Sequence, residues 1–219
     1  MKKTLLIASL LFASLTAQAG VVTVGQNNTG NCYPFSCFAS DGGSLYQQVY
    51  AASAFSGAGM INSISFYRSQ GGAMDNATYT LRLSTTGGAV GALDMNAANN
   101  VGSDVSVFGT FSLGGAMPDV LTFTGLPFLY NPAAGNLLLD VSVSYSGGYN
   151  GYQSFFQADN GIGATSRLWV GNSAGQGANA LVTSFDISPS AAIPEPGSML
   201  LVGLGLIGLA AAGRKRKAA

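Results

Sequence analysis

Hydrophobic and polar residues alternate with a period of two along much of the chain. Tyr79, Leu81 and Leu83 share one face of Tyr79–Ser84, with Thr80, Arg82 and Ser84 on the other. Val105, Val107, Phe111 and Leu113 alternate with Ser106, Phe108, Thr110 and Ser112. Leu137, Leu139, Val141, Val143 and Tyr145 alternate with Leu138, Asp140, Ser142 and Ser144. Ile64 and Phe66 repeat the pattern within Asn62–Tyr67. Side chains of a strand point to opposite faces in turn, so this alternation predicts half-buried strands. Weaker candidates are Val21–Val24, Leu45–Ala51, Val120–Phe123, Tyr152–Gln157, Arg167–Val170 and Leu181–Ile187. Between Gly20 and Ile193 no stretch sustains a 3.6-residue apolar period with caps, so helices are expected to be few and short.

Five Gly-Gly pairs, at 42–43, 71–72, 87–88, 114–115 and 147–148, punctuate these stretches. Glycine supplies the positive φ that tight strand connections need. Small-residue density around Gly87–Gly102 and Asn172–Ala178 predicts longer loops. About ten strands separated by such turns predict an all-β fold, a two-sheet antiparallel β-sandwich with jelly-roll-like connections. A β-helix would need a fixed-period repeat, and none is present.

The two ends follow different rules. Lys2 and Lys3 precede an apolar run, Leu5–Leu15, and Ala17-Gln18-Ala19 fits the small-x-small pattern of signal-peptidase sites. Residues 1–19 are therefore expected to be a signal peptide cut before Gly20. The apolar run of about 11 residues is too short to span ~30 Å at 1.5 Å per residue. At the other end, Pro194-Glu195-Pro196 is followed by an apolar, Gly-rich stretch through Ala212 and by Arg214-Lys215-Arg216-Lys217. A hydrophobic segment before a basic cluster predicts a membrane helix, 198–212, with its C-terminal side in the cytoplasm. As a helix, Met199–Ala212 covers only ~21 Å, which suits a temporary stop in the inner membrane. The two prolines hold the chain extended and forbid helix at Ile193 and Glu195. The expected organisation is thus 1–19, a β-domain over 20–190, and a tail over 191–219.

This three-part tail resembles the PEP-CTERM sorting signal. The matching parts are Pro194-Glu195-Pro196, Ser198–Ala212 and Arg214–Lys217, with lysine at two of the four basic positions as the departure. The resemblance implies recognition and cleavage by an exosortase, a membrane cysteine transpeptidase-like enzyme. It further implies export in a Gram-negative envelope and association with exopolysaccharide or biofilm matrix. It covers about 26 residues and carries no information about the domain in front of it.

Charge narrows what that domain does. The chain is only 8% charged and formally neutral. From Gly20 to Ile193 there are Arg68, Arg82 and Arg167 against eight aspartates, and no lysine, glutamate or histidine. An acidic segment with three scattered arginines is a poor nucleic-acid binder, because phosphate contacts need clustered positive charge. Without histidine, Ser-His-Asp and Cys-His mechanisms are excluded, and without lysine in the domain so is a Schiff base. A glycosidase would need two paired carboxylates. The aspartates stand in no catalytic motif, and Asp41-Gly42 and Asp159-Asn160-Gly161 read as turns. The domain is expected to be non-catalytic and without a cofactor.

Cys32 and Cys37 are the sole cysteines. In an exported chain such a pair predicts a disulfide, and Pro34 between them favours a turn. Zinc would want four ligands, which the sequence does not offer. Calcium would need about six to eight oxygens; Asp159 with Asn160, or Asp75 with Asn76, are the candidates. Tyr149, Tyr152 and Trp169 lie in an Asn/Gly-rich region and are candidate sugar contacts, Trp169 equally fitting the core as a large aromatic. The composition favours a non-catalytic surface or matrix protein, with a module recognising a defined polysaccharide as the alternative.

Overall fold

The computed structural model describes residues 20–147 and 154–189. The strands are β1 (Gly20–Val24), β2 (Thr29–Asn31), β3 (Leu45–Tyr50), β4 (Gly59–Gln70), β5 (Ala73–Thr86) and β6 (Ser106–Ala116). They continue with β7 (Val120–Tyr130), β8 (Asn136–Tyr145), β9 (Phe155–Asp159), β10 (Thr165–Val170), β11 (Ala174–Gly177), β12 (Ala180–Leu181) and β13 (Thr183–Pro189). Helical structure among the described residues is confined to four short 3-10 turns. The expected signal peptide and membrane helix lie outside the described residues.

Two antiparallel sheets form. In the first, β1-β13-β4-β7 lie side by side, and β9 continues along the far end of β4, carrying β2 and β12. The second runs β11-β10-β3-β8-β5-β6. Their facing sides share one core. Ile64, Phe66, Phe123, Phe156 and Phe185 of the first sheet pack against Tyr46, Tyr50, Tyr79, Leu81 and Leu139 of the second, all at most 1% exposed. Burying so many rings supplies the main driving force for a chain with few ion pairs.

Three differences from the sequence pattern have physical reasons. Asn172–Ala178, expected to be a loop, contains β11. Its Ala-Gly-Gln-Gly sequence has no alternation to read, and it exists by pairing with β10. β7 runs on past Phe123 through Pro127, which is tolerated because β7 hydrogen-bonds as a strand to β4 alone. The Leu181–Ile187 stretch breaks at Val182, where the chain passes from β9 to β4. There buried Gln48 takes the place of a strand: it accepts from the Leu181 N–H at 2.9 Å and donates to the Leu181 carbonyl at 2.7 Å.

The outer faces differ. On the first sheet, Thr23, Ser184, Ser65 and Thr122 stand opposite one another across four strands and form a transverse row. Thr23 and Ser184 hydroxyls are 2.6 Å apart, Ser65 and Thr122 2.9 Å, and the Tyr67 hydroxyl donates to Ser184 at 2.7 Å. On the second sheet one half repeats this, with Thr78 facing Ser112 and Thr80 facing Thr110. The other half is covered by the 87–105 loop, which packs Leu93 and Ala97 on Val49, Leu138 and Leu168. Beneath it, Gln47 donates to the Ala97 carbonyl at 2.9 Å and to Asp140 at 2.7 Å, and Asn100 donates to Gln47 at 2.9 Å. Arg82 closes the network on Asp140 and Ser142. Gly102 lets the loop seat: a Cβ there would stand 1.7 Å from the Thr85 carbonyl oxygen.

Candidate functional site

Strand β10 sets Arg167 and Trp169 two residues apart, hence on the same face. Both point to the side that carries Tyr46 and Gln48 on β3, their cross-strand neighbours. Near the sheet margin the inner face opens, so the two long side chains lie half-buried rather than sealed. Opposite Trp169 stands Gly175 of β11. A Cβ there would come within 2.6 Å of Cζ2 of the indole, so the glycine gives the ring its place over β11.

The indole holds the guanidinium. Cζ of Arg167 lies 4.5 Å from the Trp169 ring centroid and 5.6 Å from that of Tyr33. Nε donates to the Ala178 carbonyl at 3.0 Å, and Nη1 to Asn31 Oδ1 at 3.1 Å. Tyr33 packs on Phe38 at 4.6 Å and meets the indole edge-on at 6.4 Å. Trp169 Nε1 donates to Ser173 Oγ at 3.4 Å, and Ser173 Oγ donates to the Asp41 carboxylate at 2.9 Å. Burial lowers the Arg167 pKa, partly offset by the Tyr46 and Tyr33 hydroxyls. Burial, then the Asp41 charge, raises that of Tyr33. Tyr145 belongs to the same neighbourhood; burial and then the charge of Asp75 raise its pKa. Its hydroxyl is sealed from solvent with no hydrogen-bond partner among the described residues.

Of the three candidate sugar contacts, Trp169 is therefore half-buried against the core, with its ring engaged by Arg167. Tyr149 and Tyr152 lie outside the described residues, as do Pro194, Glu195, Pro196 and the basic cluster Arg214, Lys215, Arg216 and Lys217. In the sequence Arg167 is one of three scattered cations, and nothing local marks Tyr33 as its neighbour. The signal that could have found the first was the Arg-x-Trp spacing within a strand.

Cys32 and Cys37 form the expected disulfide, with their Cα atoms 5.4 Å apart. The loop they close inserts Phe35 into the core, where its ring meets Phe66, Tyr79, Phe123 and Phe156 at 5.2 to 5.6 Å. Asp75 ties this loop to β5. Its N–H donates to the Phe35 carbonyl at 2.9 Å, and its carboxylate accepts from Ala39 N–H at 3.0 Å. Burial raises the Asp75 pKa, and the N–H groups of Ala39 and Phe38 oppose that rise.

Of the oxygens considered for calcium, the Asp159 and Asp75 carboxylates accept hydrogen bonds within the fold. Asp159 accepts from the N–H groups of Gln26 at 3.0 Å and Gly161 at 2.8 Å, the second closing the expected Asx turn. Asn28 adds a side-chain donor. Among the described residues no three Asp, Glu, His or Cys side chains gather as metal ligands.

No curated protein and no solved structure matches the chain. Residues 192–217 match the PEP-CTERM protein-sorting motif, so the chain carries at its C-terminal end the sorting signal of exported, exosortase-processed proteins.

Proposed function

We propose that the chain is cut by signal peptidase after Ala19 and by an exosortase-type membrane protease near Pro194–Pro196. It then serves as a non-catalytic protein of the cell surface or extracellular matrix, associated with exopolysaccharide. The observation that carries this reading is the sorting motif at 192–217. The transverse hydroxyl rows support it, offering many weak hydrogen bonds to a hydrated polysaccharide in place of a charged surface. The strand orders support it too. Leaving out the added strands β2 and β9 to β12, the eight main ones run first-eighth-third-sixth and second-seventh-fourth-fifth, the arrangement of a jelly roll, a fold of lectin and capsid domains. Each buried aspartate already has a structural partner: Asp140 has Arg82, Asp159 the Gln26 and Gly161 N–H groups, Asp75 the Ala39 N–H. That occupancy favours a scaffold over catalysis and needs neither a cofactor nor calcium.

Intact mass of the mature protein tests the processing. A form beginning at Gly20 and ending near Pro194–Pro196 is expected; a surface form that retains Arg214–Lys217 would overturn the exosortase step. The second reading, a module for one defined polysaccharide, is favoured by the Arg167–Trp169–Tyr33 corner.

A further inference from the structure

We propose that the corner formed by Arg167, Trp169 and Tyr33 binds the carboxylate of a sugar acid, a uronate residue of an acidic polysaccharide. This names a ligand class for the matrix association proposed above and rests on that reading for the source of the polymer.

Arg167 is a cation without a counter-charge among the described residues. Arg68 and Arg82 pair with Asp119 and Asp140, and among the described residues no carboxylate comes within salt-bridge reach of Arg167. A guanidinium has five N–H donors. One on Nε and one on Nη1 are taken, by Ala178 and Asn31. Nη2 has no partner among the described residues, yet the sole side-chain polar atom there that is both sealed and unpartnered is the Tyr145 hydroxyl. Arg167 as a whole is half-buried, not sealed. A half-buried cation held without its anion is costly, and an anion arriving from outside recovers that cost.

The fork is also fixed. Stacking on Trp169 orients the guanidinium plane, and the bonds from Nε to Ala178 and from Nη1 to Asn31 hold two of its three nitrogens. One N–H on Nη1 and both on Nη2 remain without a partner among the described residues, enough for a carboxylate to accept two hydrogen bonds. Pre-orientation removes much of the ordering cost of binding. Tyr33 and Trp169 give the site apolar walls, as small-ligand sites use around a few placed polar groups. The domain's net negative charge repels a polyanion at long range, so recognition is local, one carboxylate at one fork, and the salt dependence is shallow.

Trp169 is the chain's one tryptophan, so intrinsic fluorescence reports on this corner directly. The mature protein is titrated with tri-galacturonate, with the neutral trisaccharide of the same stereochemistry, with sodium phosphate, and with a short peptide bearing a free C-terminal carboxylate. Calorimetry runs alongside. Saturable binding of tri-galacturonate is expected, weakened about tenfold or more by Arg167→Gln and partly recovered by Arg167→Lys. Unfolding midpoints check that both variants fold; if Arg167→Gln does not, Arg167→Lys and the wild-type ligand series decide. No saturable response of the wild type to tri-galacturonate overturns the proposal. So does equal binding of the neutral sugar, phosphate or the peptide. The outcomes separate cleanly from the processing test: a protein processed as proposed but blind to tri-galacturonate loses this site alone.

Discussion

The outer faces of the two sheets solve the same problem in different ways. On the first sheet the Thr23, Ser184, Ser65 and Thr122 hydroxyls hydrogen-bond to neighbours in the same plane, and all but the buried Ser184 stay near water. On the second, the 87–105 loop takes half the face out of water, and there Asp140, Gln47, Asn100 and Arg82 replace hydroxyls. A solvated hydroxyl loses little when its neighbour is removed, because water substitutes. A covered carboxylate does not have that option, and each of its partners becomes indispensable. Polar residues on the two outer faces thus carry very different energetic weight, and what separates them is a loop that covers one set.

Asp140→Ala is the sharpest attack on this contrast. It leaves Gln47 and Arg82 without the carboxylate they share, keeping only the Ala97 carbonyl and Ser142 as acceptors. A loss of about 2–4 kcal/mol in denaturant unfolding is expected, moderated because Arg82 keeps some contact with water. A cost below about 0.5 kcal/mol would show that the covered network is not a structural unit.

A pH series on Asp75→Asn gives an intermediate effect. Asp75 is a covered carboxylate of the same sheet that has N–H donors but no cation. Its pKa is raised in the folded protein, so the fold holds the proton more tightly than the unfolded chain does. Its contribution is complete below the unfolded value near ~4 and is lost as pH rises through the folded value. Wild-type stability should therefore decline over that window relative to Asp75→Asn. Parallel pH profiles would show that the Ala39 and Phe38 N–H groups fully offset the burial.

The smallest effect is expected on the bare face. Ser65→Ala and Thr122→Ala should each shift stability by no more than about 0.5 kcal/mol. The wild-type unfolding midpoint should barely respond to screening salt, since few ion pairs exist to be screened. A strong salt dependence would place more weight on Arg68–Asp119 than an exposed pair normally carries.

Long, regularly alternating strands such as β8 were legible because each residue reports its face directly. β5 is legible only over Tyr79–Ser84, because the register shift between Met74 and Ala77 interrupts the period at its start. β2 and β11 were invisible: three or four small residues carry no periodic signal, and their existence depends on β9 and β10. The covered network was also hidden, since nothing local says that Gln47 and Asp140, 93 positions apart, will meet. The disulfide was readable because only two cysteines exist. Arg167 was not, because it is set apart by having no salt-bridge carboxylate among the described residues, and a missing partner leaves no mark on a sequence.

The pairing of β1 with β13 has a consequence in time. Gly20, the first residue of the expected mature chain, lies opposite Ile187, near the end of the last strand. A ribosome delivers the first partner long before the second. During that interval β1 has no strand to join, and the sheet edge it will occupy does not yet exist. Closure of the domain waits for Thr183–Pro189, and the sorting motif follows within a few residues. The tail is therefore made just after β13 and arrives as the fold becomes able to finish. A chain truncated before β13 would lose both its closing strand and its address.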